Sequence, residues 1–292
     1  MIPSSEPHAS RRIGIGLVSL ATLGFSTIDV CGKWLVQALP VVEVVWLRFV
    51  THALWMIALL APVRGRAIVR MASWRLQALR ALMLAVMTGL NFWALQYLQL
   101  AETGAIQFSV PLIIAGLSAL WLGERLGASR WAAILVGFVG VLVVMRPGTQ
   151  GFHPAILLSV LNAVLYAMFN LLTRRMAATE SAESMQLISA IGAALVLTPF
   201  ALAVFRMPQG WQTWAVIAAI GLAGGLGHLF AAMAHRHATA AVLGPFLYQQ
   251  ILYMTAWGWL VFGQVPDGFV IGGAAIVVAS GLYLLWMEMR QR

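Results

Sequence analysis

The sequence predicts an all-α integral membrane protein of ten transmembrane helices, arranged as two inverted five-helix repeats. Three observations carry that prediction. The 292 residues are 61% hydrophobic and 9% charged, with a mean hydropathy of +0.88, where a soluble domain carries about 25% charge. Apolar runs of roughly 18 residues or more recur, long enough at 1.5 Å per residue to cross a hydrocarbon core of about 30 Å. Two runs placed five spans apart carry polar stripes of the same helical spacing.

The spans follow in order. The first runs from Ile13 to Val36 behind Arg11 and Arg12, and Pro40 separates it from the second, 42–62. An arginine-bearing stretch, Arg64 to Arg70, precedes the third at 73–98, which runs almost into the fourth at 101–121. Gly123, Glu124 and Arg125 part the fourth from the fifth, 128–145, and Arg146, Pro147 and Gly148 end the fifth before the sixth, 153–175. Arg174 and Arg175 precede the seventh, 183–204; Arg206 and Pro208 precede the eighth, 212–235. Arg236 precedes the ninth, 240–262, and Gly263 and Pro266 precede the tenth, 268–288. The first repeat is then residues 13–147 and the second 148–288, with tails at 1–12 and 289–292. The loops are too short to hold a soluble domain.

The net charge of +9 invites a nucleic-acid reading, but its distribution excludes one. Arg11, Arg12, Arg64, Arg66, Arg70, Arg75, Arg80, Arg125, Arg130, Arg174, Arg175, Arg236, Arg290 and Arg292 fall at alternate loops, with only Arg146 and Arg206 on the other side. Lysine and arginine concentrate on the cytoplasmic side of spans, so both termini are expected in the cytoplasm and the protein in a bacterial inner membrane, multi-pass. Arg11 and Arg12 also resemble a signal-peptide start, yet the run behind them is too long for one and lacks a small-residue cleavage site. Cys31, alone, cannot form an internal disulfide and is read as a packing residue.

A shift of 140 residues superposes Gly104 on Gly244, Leu112 on Leu252, Leu120 on Leu260, Gly123 on Gly263 and Leu142 on Leu282. The first span carries Ser19, Thr22, Ser26, Asp29 and Lys33; the sixth carries Ser159, Asn162, Tyr166, Asn170 and Thr173. Steps of three or four put each set on one helix face. Hydrocarbon offers such a face no partner, so the two are expected to meet, with Ser19, Thr22 and Ser26 opposite Asn162 and Tyr166 across a central cavity. Five is odd, so the second repeat enters the membrane from the opposite side. Inverted repeats with a midplane site belong to secondary transporters.

The segment AETGAIQFSVPLIIAGLSALWLGERLG, residues 101 to 127, with a proline early in a helix and Gly-Glu at its end, resembles the drug/metabolite transporter superfamily, EamA-type. The resemblance covers the whole chain and is greatest to bacterial aromatic amino acid exporters. Departures are Leu23-Gly24 where the family often has Trp-Gly, Ile251 for the second-half proline and Gln264 for the glutamate. The resemblance implies carriage of small metabolites across the inner membrane, commonly outward.

Charges inside lipid are costly and mark functional sites by default. Asp29 and Lys33, spaced i, i+4, are expected to form an intramembrane network with Arg48, Lys33 extending toward the outer face; for Arg48 a salt-bridged anchor is favoured over a substrate clamp. Glu43 is expected to be solvated at a helix end. Asp29 and His228 are the candidates for proton coupling, His228 lying among glycines that permit close helix approach. Candidate substrate-binding residues are Ser26, Asn91, Trp93, Gln107, Asn162, Tyr166, Phe169, Tyr248 and Gln249, which mix hydrogen-bonding groups with flat aromatic surface. His235 and His237 have no further ligands near them in sequence, so no metal site is expected.

The sequence lacks HExxH, GxxxxGK[ST] and GxSxG, the metalloprotease, P-loop and serine-hydrolase signatures. No enzyme activity and no cofactor are expected, and the partners expected are a small-molecule cargo and membrane lipid. The leading reading is a secondary transporter exporting small amphipathic metabolites, aromatic and other bulky apolar amino acids first, by alternating access. The alternative is a broad-specificity drug or metabolite exporter, with or without proton coupling. A passive channel and a membrane-embedded enzyme stand behind both.

Overall fold

The computed structural model describes residues 8–122, 127–149, 151–238 and 240–290. Gly123 and Glu124, quoted above, lie outside them. The described residues form twelve α-helices and a 3-10 turn at Gly65–Val69. These are α1 (His8–Leu35), α2 (Val41–Arg64), α3 (Trp74–Leu95), α4 (Leu100–Gln107), α5 (Val110–Leu122) and α6 (Ala128–Met145). The second half continues with α7 (Ile156–Met176), α8 (Ala182–Ala203), α9 (Gly210–His237), α10 (Ala240–Leu247), α11 (Gln250–Phe262) and α12 (Gly268–Arg290). Nine segments among the described residues are long and apolar enough to cross a membrane, and α10 with α11 takes the place of the tenth.

Two predicted spans are broken. The fourth divides at Phe108–Ser109 into α4 and α5, and the ninth at Tyr248–Gln249 into α10 and α11. Pro111 accounts for the first break, because it has no N–H for the Gln107 carbonyl and its ring crowds that carbonyl. The 140-residue shift carries Phe108 and Ser109 onto Tyr248 and Gln249, so both breaks occupy equivalent positions. No proline follows the second: Ile251 stands where Pro111 does, and Pro245 lies before the break, within α10. There the Gln249 side chain instead donates Nε2–H to Thr22 Oγ1 on α1, at 3.2 Å.

Packing repeats across the halves. Helix α1 lies against α9, α10 and α11, and its counterpart α7 lies against the corresponding α3, α4 and α5. Helix α2 packs on its own counterpart α8, and α6 on α12. Phe108 and Tyr248, the equivalent break residues, meet ring to ring with centroids 5.2 Å apart. Lipid tails are as apolar as leucine, so close backbone approach holds such helices together. The glycines of α9 provide it: Gly221, Gly224 and Gly225 face α2, and Gly227 faces Phe25 and the Ala21 carbonyl of α1.

Two charges, Arg80 and Glu43, are placed differently from expectation, and a third, Arg146, is held at the loop where it is expected. Arg80 does not sit in a basic loop; it is 1% exposed, seven residues into α3's neighbourhood of α7 and α8. Glu43 is fully buried because the loop after α8 folds over it, and it accepts the Arg206 backbone N–H at 2.8 Å. Arg146 ends α6 in a left-handed conformation, φ 49°, and joins two helix starts. Its Nη1 meets Asp267 Oδ2 at 2.6 Å before α12, and its Nη2 meets Glu102 Oε1 at 3.8 Å in the first turn of α4. This arginine departs from the charge rule because carboxylates at helix N-termini hold it.

Asp267 also accepts the backbone N–H groups of Phe269 and Val270. The Val270 bond first, then Arg146, holds its carboxyl below the ordinary 3.8. A depressed carboxylate stabilises the fold above its unfolded value and loses that contribution as pH falls through the folded one. The parent is therefore expected to lose more thermal stability between pH 5 and pH 3 than Asp267→Asn. The difference is at most about 1 kcal/mol, because Asp267 is half exposed. Parallel melting curves across that range would remove the assignment.

Candidate functional site

A cavity of about 150 Å³ lies between the halves, lined by α1, α2, α3 and α4 of the first and α7, α9 and α11 of the second. Its polar lining is Asp29, Arg48, Thr88, Asn91, Thr103, Gln107, Asn162, Tyr166, His228 and Gln250. Phe25, Ile28, Leu84, Met87, Phe92 and Met254 supply the apolar wall. A larger groove of about 560 Å³ runs between α6 and α12, lined by alanines, Val136 and Ile276 with Ser129, Ser280 and Tyr283 and no charged side chain.

Each wall follows from helix geometry. On α3, Leu84, Met87, Thr88, Asn91 and Phe92 recur at three and four residues and form one face. Gln107 ends α4 at the first break and Gln250 opens α11 at the second, so both interruptions open onto the cavity. Discontinuous helices at matching positions of two repeats are the pattern by which carriers expose backbone and polar groups at mid-membrane.

Of the candidate residues, Asn91, Gln107, Asn162 and Tyr166 line this cavity together with Asp29, Arg48 and His228. The others lie elsewhere. Trp93 is 53% exposed on the outer surface; two residues past Asn91, it is turned about 200° around the helix. Phe169 is buried behind the wall, stacked on Tyr166 with centroids 6.3 Å apart and 4.6 Å beneath the Arg80 guanidinium. Tyr248 packs on Phe108 and Gln249 is committed to Thr22.

Ser26 is buried and donates to the Leu23 carbonyl at 2.8 Å, while Thr22 donates to Val18 O and Ser19 O at 3.1 and 3.0 Å. Hydroxyls on a helix satisfy themselves on carbonyls three or four residues back. Thr22 and Ser26 therefore need no partner on α7, and Ser19, Thr22 and Ser26 do not line the cavity; of the α1 stripe Asp29 shares it with Asn162 and Tyr166, and Thr22 meets Gln249.

The expected Asp29–Lys33 pair does not form either. Lys33 is 4% exposed and donates Nζ–H to Leu95 O at 2.7 Å and Leu98 O at 2.6 Å, where α3 ends. Asp29 accepts from Asn91 Nδ2 at 2.8 Å, and no ion pair within 4 Å joins it to Lys33 or Arg48.

Two buried groups escaped the sequence reading. His52, fully buried, lies one turn beyond Arg48 on α2 and faces His228, ring centroids 6.1 Å apart and 15° from parallel. Its i, i+4 spacing from Arg48 is the signal that would have found it. Arg80 donates to Met185 O at 2.8 Å, Ser189 Oγ at 2.5 Å and Thr173 Oγ1 at 3.1 Å, tying α3 to α7 and α8.

Comparison with known proteins agrees with this geometry. The EamA-like transporter family matches the chain twice, over residues 12–146 and 153–287. An S-adenosylmethionine uptake transporter of Rickettsia felis is 28% identical, covering 95% of this chain and 94% of its own. A riboflavin transporter of Vibrio cholerae is 31% identical over 75% of this chain and 73% of its own. A pseudopaline exporter of Pseudomonas aeruginosa is 28% identical over 94% and 96%. A solved crystal structure superposes with a TM-score of 0.64 over 97% of this chain and 99% of its own, at 21% identity, a likeness of fold.

Proposed function

The chain belongs to the EamA-like transporter family, and we propose that it is a secondary carrier exporting a small amphipathic metabolite across the bacterial inner membrane by alternating access. The cargo we favour is an aromatic or other bulky apolar amino acid. One observation carries the reading: a cavity walled by both halves holds an aspartate, an arginine with a histidine, several amides and a set of apolar side chains. A zwitterionic head requires the first three and a bulky side chain the last. No set of reactive side chains backs an enzyme reading.

Among the relatives, one is named for uptake and another for export, and their named cargoes differ. Outward direction and an amino acid cargo are thus supported by the resemblance of the sequence and the chemistry of the cavity. Both termini in the cytoplasm follow from the arginine distribution.

The test is counterflow with purified protein in liposomes, across a panel of amino acids, riboflavin and S-adenosylmethionine. Saturable exchange of phenylalanine, tryptophan or methionine is expected. Exchange confined to the other cargoes removes the amino acid reading, and non-saturable flux makes the protein a channel.

A further inference from the structure

Among the described residues three cationic side chains are buried, Lys33, Arg48 and Arg80, and of these Arg48 has no hydrogen bond to its guanidinium nitrogens Nε and Nη1. Lys33 has two carbonyls, and Arg80 a carbonyl and two hydroxyls. Arg48 is 4% exposed, lines the cavity, and has Nε and Nη1 enclosed without an acceptor. Its close electrostatic neighbour is the Phe49 ring, 4.3 Å from Cζ.

The space around it is kept open by sequence. A Cβ added at Gly224 would lie 3.8 Å from Arg48 Nη2 and 3.3 Å from His52 Nδ1. Both ring nitrogens of His52 are likewise without a hydrogen-bond partner. Four groups able to donate or accept, on Arg48 and His52, thus gather beside the cavity with no hydrogen-bond partner among the described residues.

We propose that Arg48 is the carboxylate clamp of the cargo and that Asp29, on α1 in the same cavity, receives its ammonium group. The inference rests on the transport reading above and deepens it. A guanidinium offers two parallel N–H donors that match the two oxygens of a carboxylate. Asp29 and Arg48 do not bond to each other, so a zwitterion enters between two charges already held apart and has no internal ion pair to break. Their charges sum to zero, so a net-neutral cargo leaves the low-dielectric cavity balanced, whereas a net anion or cation would strand one charge. This selects α-amino acids over simple carboxylic acids or amines.

The experiment compares phenylalanine, tryptophan and methionine with their carboxamides, which keep bulk and ammonium and lack the carboxylate. Counterflow is measured for the parent, Arg48→Gln and Arg48→Lys, with monodispersity and Tm recorded for each. The parent is expected to prefer the acids. Arg48→Gln should reduce kcat/KM for the acids by about 10- to 100-fold and leave the amides, net cations that then meet a cavity of net negative charge, unchanged or improved, and Arg48→Lys should fall between. Equal loss for acid and amide makes Arg48 structural and overturns the clamp. If Arg48→Gln does not yield folded protein, Arg48→Lys decides by the same ratio. A parent that moves neither acid nor amide overturns the amino acid reading itself and the clamp with it.

Discussion

Gly221→Ala lowers the stability of the folded protein by about 2–3 kcal/mol. A Cβ at that position would lie 2.6 Å from the Thr51 carbonyl carbon, and closer to the Thr51 side chain, where contacting carbons settle at about 3.5–4.0 Å. Rotating Thr51 gives no relief, because its hydroxyl donates to Leu47 O at 2.7 Å and the nearest obstacle that cannot rotate is backbone. Helices α2 and α9 must therefore separate by about an ångström. Elsewhere on α9 the added carbon would be 3.1 Å or more from its neighbours, so Gly221 is the tight point of the seam.

The separation would reach the site, since Gly224, one turn on, sets the spacing to Arg48 and His52. Detergent-solubilised protein is expected to melt roughly 5–10 °C lower. Gly16→Ala is the control: nothing lies within 4 Å of that added carbon, and alanine's helix preference of about 1 kcal/mol should leave it neutral or more stable. Equal melting of the two variants would show that the α2–α9 seam yields freely.

Fold class was legible because hydropathy over a span depends on composition, which a sequence displays directly. The helix breaks were not. A span divided at Phe108 or Tyr248 has the same composition as a continuous one, and only the first carries a proline just past its break. Polarity inside apolar helices located much of the cavity, since Asp29, Arg48, Asn91, Gln107, Asn162, Tyr166 and His228 all reach it; their contact with cargo belongs to the proposal. The misses have separate physical causes. Trp93 failed on helical phase, being an aromatic neighbour of the inward Asn91 and not its face-mate. Ser26 failed because a hydroxyl can be satisfied by its own helix. Lys33, Arg80 and Glu43 failed because backbone groups bond charges as well as side chains do, and a sequence shows only the side chains.

Lys33→Met is the second large effect, expected to cost about 2–3 kcal/mol. The last carbonyls of a helix have no N–H of their own helix to accept from, water does not reach them in the hydrocarbon region, and the helix dipole makes that end negative. Lys33 Nζ serves one such carbonyl, Leu95 O at the end of α3, and with it Leu98 O in the turn that follows. Each charge-assisted bond is worth about 1.5–3 kcal/mol, offset by the relief of no longer burying an ammonium group, which sets the net figure. Methionine keeps the volume, so the loss reports on the bonds. A fall in Tm of roughly 5–10 °C is expected, with flux per folded molecule near that of the parent, because Lys33 does not line the cavity. Asp29→Asn should do the reverse: the asparagine can still bond Asn91, so melting stays close to the parent, while cargo exchange is lost with the carboxylate. A Lys33→Met protein that melts normally and transports nothing would place Lys33 on the cargo's path and end its reading as the cap of α3.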